Sequence, residues 1–314
     1  MTHSEHAHQS PIGYVVVAYH RPEELLRLFT ALANERGDLP ASLQCVVVNV
    51  DADPQIAEIA LRVGAKAINA TGNPGYGAAV NLGVQSLETE IVVFSNDDVV
   101  GGGSVLTRLA QLVRGGEADV AVPRVTDADG STVPTCQAIP DFGQFILEWL
   151  LLPQYPIGLL RGRLHVEKWR RPARKELIVA ASAILVATRR DLLLRFPLPE
   201  EYFMYFEESE WFWKLRDAGL RTIYCPDVAI QHSGGSGLVT TFKSQLQARN
   251  AVRLFRRCRG RTAAAAAYPL VVAWQARLLL VDAIRAALRP RARPVARARL
   301  AGFSASLRAW REVR

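Results

Sequence analysis

The chain has 314 residues, of which 49% are hydrophobic, so it can bury a full core, and disorder is excluded as its governing state. Its net charge of +8 is unevenly spread: residues 249–314 carry 16 arginines, no lysine and only Asp282 and Glu312, a net of +14 that leaves −6 for residues 1–248. A basic, Ala- and Leu-rich tail on a mildly acidic body points to an anionic surface, and its apolar content favours a membrane over nucleic acid, which is not expected as a partner.

Residues 1–11 are polar, lack the apolar stretch of a secretory leader, and read as a solvated, disordered arm despite His3, His6 and His8. Tyr14 to Tyr19 is a buried-strand run, and Pro22 opens a helix patterned by Leu25, Leu26, Leu28, Phe29 and Leu32. Cys45 to Val50 predicts a second strand, Pro54 to Val63 a helix, Ala65 to Asn69 a short strand and Gly75 to Leu87 another helix. Ile91 to Phe94 is a strand that ends in Asn96-Asp97-Asp98. This alternation predicts an α/β, Rossmann-like, mostly parallel sheet flanked by helices.

Further along, Val105 to Val113 reads as a helix, Val120 to Pro123 as a strand, and Asp127 to Gly130 as a solvated turn. Residues 137–172 lose the alternation, and the apolar cluster that includes Trp149 suggests an acceptor-binding flap or a packed helix. Ile178 to Ala187 predicts a buried strand, Phe203 to Gly219 a loop running into a helix, and Arg221 to Tyr224 a final short strand. Two amphipathic helices, Pro269 to Leu288 and Val295 to Trp310, complete the tail, separated by Arg289 to Pro294. The stretch 263–284 is interrupted by Gln275, Arg277 and Asp282, which argues against a spanning helix. The tail either lies on an anionic membrane or packs on the body. Four dispersed cysteines, with no C-x-x-C spacing, speak against a zinc site or a disulfide framework and for a cytoplasmic protein.

The chemistry concentrates at a few points. Carboxylates at the mouth of a buried strand are placed to meet a metal and a phosphorylated ligand. Glu207-Glu208 beside aromatics, and His232 ahead of a Gly-rich turn, add a base and an imidazole, and the set suggests metal-assisted group transfer. Hard oxygen ligands such as Asp98 suit Mg2+ or Mn2+, and an imidazole suits Mn2+ somewhat better.

In order, Val15 to Tyr19, Asn73-Pro74-Gly75-Tyr76 to Asn81, Asn96-Asp97-Asp98, Phe203 to Glu208, His232 to Ser236 and Arg249-Asn250 resemble the motifs of inverting family 2 glycosyltransferases with the GT-A fold. The likeness covers residues 12–255 and is greatest to the rhamnosyltransferase-like branch. It implies a nucleoside-diphosphate-sugar donor, with dTDP-rhamnose leading, and a lipid-linked or other cell-envelope glycan acceptor. It also implies a divalent cation, Mg2+ or Mn2+, held by Asp98 and His232, and Glu208 as general base with Glu207 as the alternative. Donor contacts fall on Ala18, Tyr19, Asn49, Asp51, Asp53, Asn73, Gly75, Tyr76, Asn81, Asn96 and Asp97, and acceptor contacts on Trp149, Arg249 and Asn250. Two departures matter: Val48 stands where the family has an acid near the nucleotide base, leaving Asp51 or Asp53 to replace it, and the Q-x-x-R-W motif of processive members is absent, which favours single addition. The expected organisation is an arm 1–11, a GT-A domain 12–255 with its flap 137–172, and a basic helical tail 256–314 that places the protein on the inner face of the membrane. A homo-oligomer is compatible with this pattern. So are two other classes, a sugar-nucleotide nucleotidyltransferase and a non-catalytic sugar-nucleotide-binding scaffold.

Overall fold

Seven consecutive buried residues make Ile12–Ala18 (β1) the axis of the first half of the sheet. The computed structural model describes residues 11–34, 43–137, 169–170, 172–233 and 239–312, so the arm (except its last residue), Trp149 and the glycines at 234, 235 and 237 lie outside the described residues. β1 pairs in parallel with Gln44–Asn49 (β2) and Ile91–Asn96 (β4), and β2 pairs in parallel with Lys66–Asn69 (β3). Pro22–Asn34 (α1), Pro54–Arg62 (α2) and Tyr76–Gln85 (α3) make the crossovers between them. Apolar side chains of α1, α2 and Gly103–Arg114 (α4) fill one face of the sheet, and those of α3, Arg190–Arg195 (α5) and Glu207–Asp217 (α6) fill the other.

Beyond β4 the expected parallel order becomes mixed. Leu185–Arg189 (β11) lies antiparallel between β4 and Val120–Thr126 (β6), and β6 runs parallel to Thr222–His232 (β12). β12 also carries Val99–Val100 (β5) and Glu176–Ile178 (β9) as antiparallel partners. The single strand expected over 178–187 is thus three pieces. β9 joins β12, Ala180–Ala181 (β10) joins Cys136–Gln137 (β7), and β11 joins the main sheet. The last strand reaches His232 rather than ending at Tyr224. Pro226 has no N–H for the ladder, and the register shift between Cys225 and Ala229 accommodates it as a bulge.

β7 pairs antiparallel with Trp169–Arg170 (β8), which sets Gln137 opposite Trp169. The turn at 127–130 forms as expected, with Asp127 Oδ1 accepting from the Asp129 and Ser131 N–H groups. Thr241–Leu288 (α7) is two helical segments joined by a kink at Gly260 (φ 83°, ψ −179°), so the chain breaks four residues beyond the boundary expected at 256. After a 3-10 turn at Pro290–Ala292, Arg293–Glu312 (α8) folds back along α7. Ala251, Val252, Phe255, Ala264, Ala267, Val271, Trp274 and Ala309 form a core between these helices. Glu210, fully buried on α6, accepts from Tyr202 and pairs with Lys214 (2.7 Å) and with Arg257 (2.8 Å) of α7. The tail helices thus pack on one another and, through Arg257, on the catalytic body. α7 is nonetheless long and apolar enough to cross a membrane by length and composition, with an 18-residue window of mean hydropathy 1.5 that is only 28% buried.

Candidate active site

A cavity of about 550 Å³ opens where β1 and β4 end, bounded by the β2–α2 and β4–β5 turns, the loop before α6, and α7. One side is lined by Val17, Tyr19, Val50, Asn73, Gly75, Asn96 and Asp97. The Tyr19 N–H donates to Asp97 Oδ2 at 2.9 Å, which ties the end of β1 to the strand-end acid. Burial pushes the Asp97 carboxyl up to about 7, with the neighbouring Asp98 charge adding to the rise. Asn73 Oδ1 accepts from the Gly75 N–H at 3.0 Å and so shapes the turn into α3.

Several predicted donor residues support this wall instead of lining the cavity. Ala18 is buried, and its carbonyl accepts from the Val50 N–H. The fully buried Asn49 amide bridges the Asp53 carbonyl (2.8 Å) and Asn69 Oδ1 (2.9 Å). Asp53 caps α2 through the Gln55 N–H. Asn81, expected at the donor, donates to the Leu198 carbonyl and Glu200 and accepts from the Leu198 N–H, so it braces α3 against the 198–200 loop. Asp51 pairs with His20 and keeps Oδ1 buried without a partner among the described residues. Of the two acids expected to replace the missing one at Val48, Asp51 keeps a buried oxygen unpartnered while Asp53 Oδ1 is taken up by the cap of α2.

Asp98, 5% exposed, is met from two sides: Arg21 Nη1 lies 2.8 Å from Oδ2 and His232 Nε2 lies 3.0 Å from Oδ1. Burial alone would raise its carboxyl. The His232 and Arg21 contacts outweigh burial and hold it below the ordinary carboxylate value. His232 arrives because β12 pairs with β5, opposite Val99, while the Ser233 N–H donates to the Asp98 carbonyl. An oxygen and a nitrogen donor converging in one cavity fit a divalent cation that draws its other ligands from substrate and water. Among the described residues no group of three or more acidic, His or Cys side chains forms a complete cage.

Across the cavity, Glu207 and Glu208 occupy the first turn of α6, where the helix dipole favours negative charge. They are presented by an unusual backbone: Tyr205 (φ 68°) and Phe206 (φ 76°) are consecutive non-glycine residues in the left-handed region. Asn250, expected to touch the acceptor, instead holds this loop, donating to the Met204 (2.9 Å) and Tyr205 (3.0 Å) carbonyls. Arg249 likewise lies away from the cavity, pairing with Glu312 at 2.6 Å and so joining α7 to α8. Burial and the Glu208 charge lift Glu207 well above the usual carboxylate range. Burial also raises Glu208, while hydrogen bonds from backbone N–H groups, Gln137 and Glu207 oppose the rise. Both carboxyls are thus raised, and Glu207 Oε2 and Glu208 Oε2 are each buried without a partner among the described residues.

Among the lining residues that sequence reasoning missed are Arg21, Gln137, Lys243, Gln247 and Trp274. Arg21 had a signal, a cation directly after the first strand. Trp274 had none, since the kinked α7 brings it back to the site from 70 residues beyond Met204. Tyr76, assigned to the donor, does line the cavity, but its hydroxyl donates to the Ala183 carbonyl at 2.6 Å and fixes the wall.

Residues 14–162 match the model of Glycosyl transferase family 2. An N-acetylglucosaminyl-diphospho-decaprenol L-rhamnosyltransferase of Mycobacterium tuberculosis is 27% identical over 173 residues, 51% of this chain and 56% of the relative. The chain thus spans little more than half the length of that curated relative. A mannosyltransferase of Pyrobaculum calidifontis, solved with GDP-Man and Mn2+, is similar in structure with a TM-score of 0.54 at 15% identity, covering 98% of this chain and 89% of the other. Residues 14–162 therefore resemble a Glycosyl transferase family 2 domain, and the described residues share the GT-A-like fold of that mannosyltransferase.

Proposed function

We propose that the chain is an inverting, cation-assisted glycosyltransferase that transfers one sugar from a nucleoside diphosphate to a hydroxyl acceptor. The observation that carries this reading is a single cavity that joins the strand-end carboxylates Asp97 and Asp98 to the partnerless Oε2 of Glu208. Asp97, Asn73 and Asp51 bind or shape the nucleoside end. Asp98 and His232 hold the cation, which when bound supplies Lewis-acid neutralisation of the departing diphosphate. Glu208 takes the proton of the attacking hydroxyl from the face opposite the diphosphate, which yields inversion. Burial and the neighbouring Glu208 charge disfavour the ionised form of Glu207, which weakens it as a competitor for the same role.

Rhamnose from dTDP-rhamnose is the leading donor, and a lipid diphosphate-linked sugar the leading acceptor, on the strength of the mycobacterial relative. The inner membrane surface is the proposed location. Exposed Leu280, Ile284 and Leu288 form one stripe near the end of α7, beside exposed Arg285, Arg289, Arg291 and Arg293. The deciding experiment offers the full-length protein a panel of nucleoside-diphosphate sugars with a lipid diphosphate-linked sugar, and follows products by mass and anomeric configuration. Transfer with inversion supports the proposal. Formation of a nucleotide sugar from sugar phosphate and nucleoside triphosphate would make it a nucleotidyltransferase, and binding without turnover a non-catalytic scaffold.

A further inference from the structure

The guanidinium of Arg21 stands where a cation bound to Asp98 would share its oxygen. Arg21 Nη1 lies 2.8 Å from Asp98 Oδ2, and the other carboxylate oxygen faces His232. The arginine is anchored at one end and free at the other. Its carbonyl accepts from the Glu24 and Leu25 N–H groups at the start of α1, and Pro22 follows it, so the backbone is fixed. The side chain is 43% exposed and lines the same cavity, which gives the guanidinium room to turn. A divalent ion on Asp98 would face a like charge a few ångströms away with little water between them. A diphosphate removes that conflict, since it offers oxygens to both cations at once.

We infer that Arg21 is an internal counter-ion that keeps the divalent cation off Asp98 until a nucleoside diphosphate arrives, and then turns to hold that diphosphate. It is a positioning residue for the proposed reaction, and it makes cation and donor binding mutually dependent. This rests on the reading above that Asp98 is a cation ligand. Coupling of this kind is reciprocal, so the nucleotide must tighten the metal by the factor by which the metal tightens the nucleotide.

The test is a Mn2+ titration of the full-length protein followed by electron paramagnetic resonance, with and without dTDP or UDP. The wild-type chain should bind Mn2+ weakly alone and at least ~10-fold more tightly with nucleotide. Arg21→Gln should bind Mn2+ alone ~10-fold or more tightly than wild type, and lose most of the gain from nucleotide. Arg21→Lys, which keeps the charge, should behave like wild type. Unchanged or weaker Mn2+ affinity in a folded Arg21→Gln protein overturns the inference, as does binding of Mn2+ by neither protein. Asp98→Asn separates the two ideas: if it leaves Mn2+ binding intact, the cation assignment of Asp98 fails, whereas if it abolishes binding while Arg21→Gln changes nothing, only the counter-ion role fails.

Discussion

Gly75→Ala tests whether the turn into α3 and the proposed base at Glu208 are mechanically one unit. Gly75 sits at φ 88°, ψ 167°, a region that an alanine enters at a cost of about 1–3 kcal/mol. A Cβ there would lie 2.4 Å from the Phe203 carbonyl oxygen and 2.8 Å from Phe203 Cα. Restoring ordinary contact requires a shift of about 1 Å, and what must move is backbone. That segment accepts the Tyr76 N–H at Phe203, is held by Asn250 at Met204 and Tyr205, and continues directly into Glu207 and Glu208. Strain and displacement together should lower stability by about 3 kcal/mol, and a 1 Å misplacement of the base should lower kcat about 100-fold. Urea unfolding and steady-state kinetics at saturating donor measure the two effects. Gly72→Ala is the control: φ is 70°, but nothing lies within 4 Å of the added carbon, so it should cost about 1 kcal/mol and leave kcat unchanged. Wild-type turnover in Gly75→Ala, or equal loss of turnover in Gly72→Ala, refutes the linkage.

Glu208→Gln should reduce kcat about 100-fold or more with donor affinity retained, while Glu207→Gln, which mimics the protonated neighbour, should retain most activity; the reverse ranking would give the base role to Glu207. Because burial raises Glu208, and the reaction needs it ionised, kcat in the wild type should rise with pH along a limb lying above the ordinary value of about 4.3 for a glutamate. Glu210→Gln should destabilise the fold by about 2–3 kcal/mol at neutral pH, less than for a wholly buried pair because Arg257 and Lys214 are partly exposed. The Glu210 carboxyl is lowered in the folded state by Arg257, Lys214 and Tyr202 against its burial, so its contribution is present above the unfolded value and fades as pH falls through the folded one; the stability gap to Glu210→Gln should close below about pH 4. Replacing exposed Ile284 and Leu288 together by Glu should leave thermal unfolding intact and release the protein from anionic vesicles; retention on those vesicles would remove this stripe from the membrane role.

Local pattern was sufficient for the first half of the sheet, since the runs at β1, β2 and β4 have no alternation and turn both faces inward. It was also sufficient to place Asp97, Asp98 and Glu208, because a polar residue directly after an apolar strand, or in the first turn of a helix, has its position set by the element itself. Tertiary structure alone decided the rest. Whether an Asn faces substrate or backbone depends on what packs opposite: Asn81 and Asn250 carry the right residue type at the expected place, yet each meets a carbonyl that its own segment does not foreshadow, whereas Asn49 and Asp53 are taken up by neighbours in their own turn. The last strand, expected to end at Tyr224, continues through a bulge past Pro226 to His232. The tail showed its charge and helical period but not its docking, because two amphipathic helices can cover each other, a membrane or the catalytic body with one and the same sequence pattern. The buried Glu210–Arg257 pair and the kink at Gly260 select the body for the start of α7 and bring Trp274 to the cavity, a choice made by contacts between residues tens of positions apart.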